Sequence, residues 1–377
     1  MNGIPLRVSA LLLTASLSAQ NVLHYKFDER CGAEVVNFAA GSAVGNAGIV
    51  TTLPGGVDAA RVTGQFDLAL GATAFPGATP TTRLNTGWAP SSPTGNLSFG
   101  LWIRNQPGNP AAISFGYLFG ATGGNFRLFT GSSGRMFLAG APFSATSAVD
   151  LTPLLNAGWV HIACTLSSSP LQAIWYVNGV PDPTIVPTQA LALAGTNFAI
   201  GARDTGGSSP SPLQTDEFVM SHSVWTPAEV LALAQATPAA DGAYSSGIAS
   251  QCGAGNVVLG SAGGTPAIGN LAYSLTVSTT TPSLFVLLAG FDKCFFGGVV
   301  PLPLDGTPLL PQLNGCWILA DAPVTLSGVN QAGTAALALP IPVGVPASTH
   351  IYTQALALDL ATFAGSMSSG FVSSTGQ

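Results

Sequence analysis

Two adjacent acid pairs, Asp28-Glu29 and Asp216-Glu217, are the residues of this 377-residue chain best suited to bond cleavage. Cutting a glycosidic bond takes two carboxyl groups on one face, about 5–5.5 Å apart for retention or roughly 6.5–9.5 Å for inversion. On a strand, same-face neighbours are i and i+2, and no Glu-x-Asp type of spacing occurs. Adjacent residues point to opposite faces, so neither pair makes a site alone. The four histidines, His24, His161, His222 and His350, sit on separate strand segments, where structural or solvent-facing roles suffice. The sequence has no G-x-S-x-G elbow, no H-E-x-x-H and no Walker A run. GAGNVV, starting at Gly253, imitates a dinucleotide fingerprint but carries Val258 at the third glycine position and lacks a βαβ context, which makes it a loop.

Binding chemistry has better candidates. Trp102, Trp159 and Trp175 lie in strand-like runs and are expected to fill a core, whereas Trp88, in the Pro/Ser-rich NTGWAPSSP, is the candidate for an exposed contact. Arg127 and Arg135 flank the small-residue loop TGSSG, and Arg203 follows the run NFAIGAR; each could hydrogen-bond hydroxyls. Charged residues make up only 7% of the chain, where soluble domains usually carry about 25%. Ten basic against sixteen acidic residues give a net charge of −6, so no basic surface is available for nucleic acid. Sulfated or phosphorylated partners would need clustered Arg or Lys. A neutral polysaccharide or an extracellular protein is the expected partner.

The elements that position these residues are strands. Period-two runs such as NVLHYKFDE, LSFGLWIRN, WVHIACTL, LQAIWYVNG and TDEFVMSH alternate with Gly, Pro, Ser and Asn clusters. Asn178-Gly179 suits a tight type I′ hairpin, which needs φ > 0 at both central residues. TPAEVLALAQA supplies Thr226 as N-cap, Pro227 at N1 and Glu229 at N3, a capping box that predicts a short helix ending near Ala236. Residues 238–252 read as a linker between a first unit, 20–237, and a second, 253–377. The second contains one Lys, Lys293, and no Arg, and its runs predict a smaller β-sandwich. The chain is thus expected to be all-β.

Residues 1–19 place Arg7 before an apolar stretch, Val8 to Leu17, and then Ser18-Ala19, the pattern of a secretory signal. No later segment sustains eighteen apolar residues, so a transmembrane anchor is not expected and release into the periplasm or medium is. Five cysteines in such a chain allow two disulfides. Cys164 alternates with Val160, Ile162 and Leu166 onto one apolar face and reads as a buried free thiol. Cys294 and Cys316, 22 positions apart, would close a loop stabilising by roughly 3 kcal/mol. That leaves Cys31 to pair with Cys252.

The first unit resembles the LamG-like jelly-roll domains of the concanavalin A-like lectin and glucanase superfamily. The resemblance rests on LHYKFDE, the Trp102 strand, Trp159-x-His161-x-Ala163, the hairpin from Tyr176 to Gly179, Ile200-Gly201, and Asp216-Glu217 leading into the closing helix. It implies a jelly-roll sandwich with one short closing helix, and an extracellular, non-catalytic binding or adhesion module for glycans or proteins. The alternatives are a polysaccharide-degrading enzyme or accessory subunit whose acid pair assembles from distant loops, and a structural surface component without a small ligand. Such jelly rolls often hold a structural calcium ion, for which Asp28 and Asp216 are the candidates; otherwise both acid pairs meet Arg or backbone donors. The second unit is similar to a C-terminal module of secreted proteins of environmental bacteria, through PAIGN, PLPL, GC and the Tyr352-x-Gln354 strand.

Overall fold

The computed structural model describes residues 21–377 except 40, 41, 43, 51–60, 72–81, 93, 106–115, 124, 125, 132, 141, 142, 184, 188, 190, 192, 194, 207, 208, 210, 212, 245–251, 253–256 and 309–310. The secretory segment, residues 245–251 of the expected linker and the start of the Gly253 loop lie outside the described residues.

Two eight-stranded antiparallel sheets face each other in the first unit. The first is centred on Leu97–Asn105, flanked by Val160–Ser168 and Leu213–Ser221; Asn21–Tyr25 pairs with the last of these. The second runs Phe143–Thr146, Met136–Gly140, Arg127–Thr130, Gly116–Thr122, Thr196–Ile200, Arg83–Asn85, Ala47–Val50, Glu34–Val35. Between them Phe99, Phe119, Phe126, Phe198, Phe218 and Trp175 form one buried cluster. Edge-to-face contacts such as Phe99–Phe119 at 5.1 Å and Phe99–Trp175 at 6.0 Å give it fixed geometry.

The expected local devices are present. Asn178 and Gly179 have φ of 50° and 79°. Thr226 caps Pro227–Leu233 through a complete capping box with Glu229, and the helix ends before Ala236. Val160, Ile162, Cys164 and Leu166 enter the core, while Ala163 faces the helix residues Val230 and Leu233. Cys164 is a buried free thiol.

The second unit is built on one seven-stranded sheet and two two-stranded ribbons. Its spine is a hairpin of Ser274–Gly290 and Val324–Ala338. A register shift between Thr279 and Pro282 interrupts the ladder, and Leu275 and Val277 join Phe285 and Leu287 in one core, so the sheet folds over itself. AYSLTVS and LFVLLAGF, two separate runs in sequence, belong to this single strand because the shift is absorbed without a turn.

The units are joined more closely than a linker would join them. Residues 240–244, expected in the linker, form Ala240–Tyr244, which pairs with Gly370–Ser374 at the edge of the second sheet. Val36 and Phe38 of the first unit pack with Tyr244, Leu319 and Tyr352 of the second. The disulfides correct the expected pairing: Cys31 bonds Cys294, and Cys252 bonds Cys316. Short sequence separation argued for Cys294–Cys316, but docking of the units puts Cys31 beside Cys294, with Cα atoms 5.9 Å apart. One bridge therefore crosses the junction and the other stays within the second unit. No helix among the described residues is long and apolar enough to cross a membrane.

Candidate functional site

The acid pairs meet at the junction. The strand Leu213–Ser221 carries a register shift between Asp216 and Val219, and Glu217 takes a left-handed φ of 48°. Such a bulge disturbs strict alternation and re-aims side chains, which is how adjacent Asp216 and Glu217 both become buried polar groups. Asp216 Oδ2 accepts from the backbone N–H of Gln65 at 2.8 Å and of Phe66 at 3.2 Å, and its Oδ1 from that of Glu217 at 2.8 Å. Glu217 lies 3.7 Å from Lys26 Nζ and 3.6 Å from His24 Nε2 and accepts from the Thr237 hydroxyl. Lys26, fully buried, donates to Thr237 Oγ1 at 2.7 Å and to the Pro238 carbonyl at 2.6 Å. Asp28 Oδ1 accepts from the Leu68 N–H at 3.1 Å, and its Oδ2 lies 3.3 Å from His350 Nε2. Glu29 Oε1 accepts from the Val36 N–H at 2.7 Å.

Burial, reinforced by the charges of Asp216 and Glu217, pushes the Asp28 carboxyl well above the usual range. Burial and then Glu217 do the same to Asp216. For Glu217, burial opposes the charge, but Lys26 and His24 outweigh it and hold the carboxyl below its usual value. Burial lowers His161 and His350 to about 3, so both imidazoles are neutral at pH 7. The cavity touching Glu217 measures about 10 Å³, the space of a single water. Asp28, Glu29, Asp216 and Glu217 are all buried, and the cluster reads as the polar core of the junction.

Calcium coordination takes six to eight converging oxygens. The atoms nearest Asp28 and Asp216 are N–H donors and an imidazole, and Lys26 stands in the same cluster. Among the described residues no group of three or more His, Cys, Asp or Glu is arranged to hold a metal ion. These residues do not fit a calcium site.

The four binding candidates separate. Trp88 is 5% exposed, packs edge-to-face on Phe198 at 5.3 Å, and its carbonyl accepts from the Phe198 N–H. It is a core residue, because its partner comes from a strand remote in sequence that the loop around it does not reveal. Arg127, Arg135 and Arg203 instead belong to the second sheet. Register places Tyr117, Phe129 and Phe137 side by side across three strands. Their rings touch in sequence, Tyr117–Phe129 at 5.2 Å and Phe129–Phe137 at 5.3 Å, with the last two nearly parallel. Leu128, Met136 and Leu138 between them point into the core, so the three rings lie on the outer face. Arg127 is two residues before Phe129, and Arg135 two before Phe137; the strands are antiparallel, so the arginines stand on opposite sides of the ring row.

Arg203 joins the Arg127 side. A Cβ on Gly120 would lie 2.1 Å from the Arg203 carbonyl oxygen, and Gly120 is the register partner of Arg127. The same segment is tied down by Arg83 Nε donating to the Thr205 carbonyl at 2.7 Å and by the Thr122 and Thr205 hydroxyls at 2.9 Å. Arg203 meets Asp204 at 3.2 Å, and Arg135 lies near Asp150, whose carboxyl is held low chiefly by the Thr152 hydroxyl. The Arg127 side chain makes no ion pair among the described residues. The ring row was not foreseen; the alternation in FRLFT and RMFLAG was its only sequence signal.

Comparisons with known proteins bear on this unit. No curated protein matches. Among solved structures, domain 4 of AbnA, an extracellular arabinanase of Geobacillus stearothermophilus solved with arabinotriose, is 18% identical over 58% of this chain and 100% of that chain, with a TM-score of 0.41. The binding domain of Paraclostridial Mosquitocidal Protein 1 is 10% identical over 71% of this chain and 65% of that chain, with a TM-score of 0.42. A sialidase of Trypanosoma rangeli is 14% identical over 56% of this chain and 32% of that chain, with a TM-score of 0.39. Residues 77–231 match a family model described as the concanavalin A-like lectin/glucanases superfamily. The matched residues lie within the first unit, the sandwich formed by the two eight-stranded sheets.

Proposed function

We infer that this chain is a secreted, non-catalytic binding or adhesion protein whose first unit takes a neutral glycan or an extracellular protein surface on the outer face of its second sheet. The observation that carries the reading is the row Tyr117–Phe129–Phe137 with Arg127 and Arg203 on one side and Arg135 on the other. The half-buried Phe129 and Phe137 rings, backed by the buried Tyr117, offer apolar contact, and guanidinium groups offer donors to hydroxyl or carbonyl oxygens. Acidic neighbours offset Arg135 and Arg203, which supports a neutral partner over a sulfated one. Hydrolysis is disfavoured because the collected carboxyl groups are buried and already engaged by backbone N–H groups, Lys26 and Thr237.

The test is a screen of the purified chain against neutral polysaccharides, followed by Phe129→Ala and Arg127→Ala on whatever binds. Loss of a well-packed contact of this kind weakens affinity by roughly tenfold or more. The expected result is weaker binding in both variants, unchanged melting and no new reducing ends. Reducing ends that vanish on Ala substitution of one acidic residue, or binding untouched by both variants, would overturn the reading.

A further inference from the structure

A cavity of about 590 Å³ opens at the junction beside the bridge between Cys31 and Cys294. Its size falls within the ~300–1,000 Å³ of small-molecule sites. Residues 30–34 of the first unit form one wall, and Tyr244, Leu302, Pro303 and Leu319 form an apolar one. These walls are held by bonds of their own. The disulfide joins the two sides covalently, the Tyr244 hydroxyl donates to the Leu319 carbonyl at 2.9 Å, and the Leu302 N–H donates to the Cys294 carbonyl at 2.8 Å. A site fixed in this way needs little ordering when it is filled.

One group in the lining is unmatched. Lys26 and Lys293 are the only lysines of the chain, and Lys26 is fully buried and hydrogen-bonded. The half-buried Lys293 lines the cavity with Nζ 5.7 Å from the centroid of the Tyr244 ring, and it makes no hydrogen bond or ion pair among the described residues. The other charged groups of the lining are engaged. Arg30 lies 3.6 Å from Asp67, Glu34 accepts from the Asn46 amide at 2.7 Å, and Asp292 accepts from the Cys294 and Phe295 N–H groups at 2.6 and 3.3 Å. Burial lowers the Lys293 ammonium from its usual value, and the carboxylates of Glu29 and Glu34 counter this only in part. An ammonium taken out of water calls for a partner, and an anion in the cavity would supply a charge-assisted hydrogen bond.

We propose that this cavity binds a small organic acid, with its carboxylate on Lys293 Nζ and its apolar body against Tyr244, Leu302 and Leu319. An inorganic anion would leave the apolar wall uncovered, and an uncharged apolar molecule would leave the ammonium without a partner. Both halves of the ligand are needed. Glu34 and Asp292 stand in the same lining, and like charges brought together are penalised, so the cavity suits one carboxylate and selects against a polyanion.

Having only two lysines makes the test direct, because the full chain labelled with carbon-13 at lysine Cε gives two side-chain signals, and Lys293→Arg identifies the one at the cavity. Cinnamate is the probe and cinnamamide its uncharged control. Cinnamate should move the Lys293 signal saturably and leave the Lys26 signal in place. In calorimetry the acid should bind about tenfold or more tighter than the amide, the margin of one charge-assisted contact. Lys293→Met should abolish that preference, and Lys293→Arg should keep it. A Lys293 signal that stays in place up to about 5 mM cinnamate, equal affinity for acid and amide, or an unchanged preference in Lys293→Met would each overturn the proposal. The first of these is read on the unaltered protein. None of these outcomes depends on a glycan being bound.

Discussion

The Asp28 carboxyl and the His350 imidazole meet at 3.3 Å across the junction, one following the opening strand of the first unit and the other on His350–Asp359 of the second. Burial, reinforced by the neighbouring Asp216 and Glu217 carboxyl groups, raises the Asp28 carboxyl well above its usual range, and His350 is neutral at pH 7. Asp28→Asn should then be tolerated at pH 7, whereas Asp28→Ala should lose roughly 1–3 kcal/mol by leaving polar partners unmet. The sign of the pH effect follows. A folded value above the unfolded one gives stability that is fully present below the usual carboxylate pKa and is lost as pH rises. Asp28→Asn removes that loss, so urea unfolding should show the variant gaining on wild type from pH 4 to pH 7. A constant gap would contradict a raised Asp28 carboxyl.

Non-reducing peptide mapping should recover Cys31 with Cys294 and Cys252 with Cys316, and Cys164 should be alkylated only after unfolding. The sequence separation of 64 between Cys252 and Cys316 corresponds to roughly 4 kcal/mol in the chain-entropy model. Cys252→Ser with Cys316→Ser should lower stability by an amount of that order.

Gly120→Ala is expected to act at a distance from its own core contacts. The new methyl group would press on the Arg203 carbonyl and push the 201–206 segment off the sheet. Overpacking of this kind costs about 1–3 kcal/mol. If the outer face binds as proposed, affinity should fall together with the melting temperature in this variant, whereas Arg127→Ala lowers affinity alone.

Chelation should leave the melting temperature unchanged, because backbone N–H groups and His350 already occupy Asp28 and Asp216. A fall in the presence of EDTA, restored by added calcium, would show a metal held elsewhere than between these two residues.

Most of the architecture was legible in the sequence, because the jelly roll is written in local terms. The alternation in WVHIACTL, the Asn178-Gly179 turn and the Thr226 capping box each depend on a few neighbouring residues. The features that were misread depend on contacts between remote segments. Trp88 is buried by Phe198, Cys31 pairs with Cys294 across docked units, and residues 240–244 pair with a strand more than a hundred positions later. The acid pairs fall between these cases. The Glu217 bulge breaks the alternation that seemed to separate Asp216 from Glu217, and no turn residue in TDEFVMS announces it.

The bridge from Cys31 to Cys294 spans 263 positions of sequence, and it changes how the molecule carries load. Tension applied between the two units would otherwise peel the Ala240–Tyr244 strand from its neighbour. With a covalent bond in parallel, part of the pull bypasses the intervening chain and the strand contacts are shielded. A protein built this way would keep its two units at a fixed spacing under tension, and reduction would convert a stiff strut into an extensible tether.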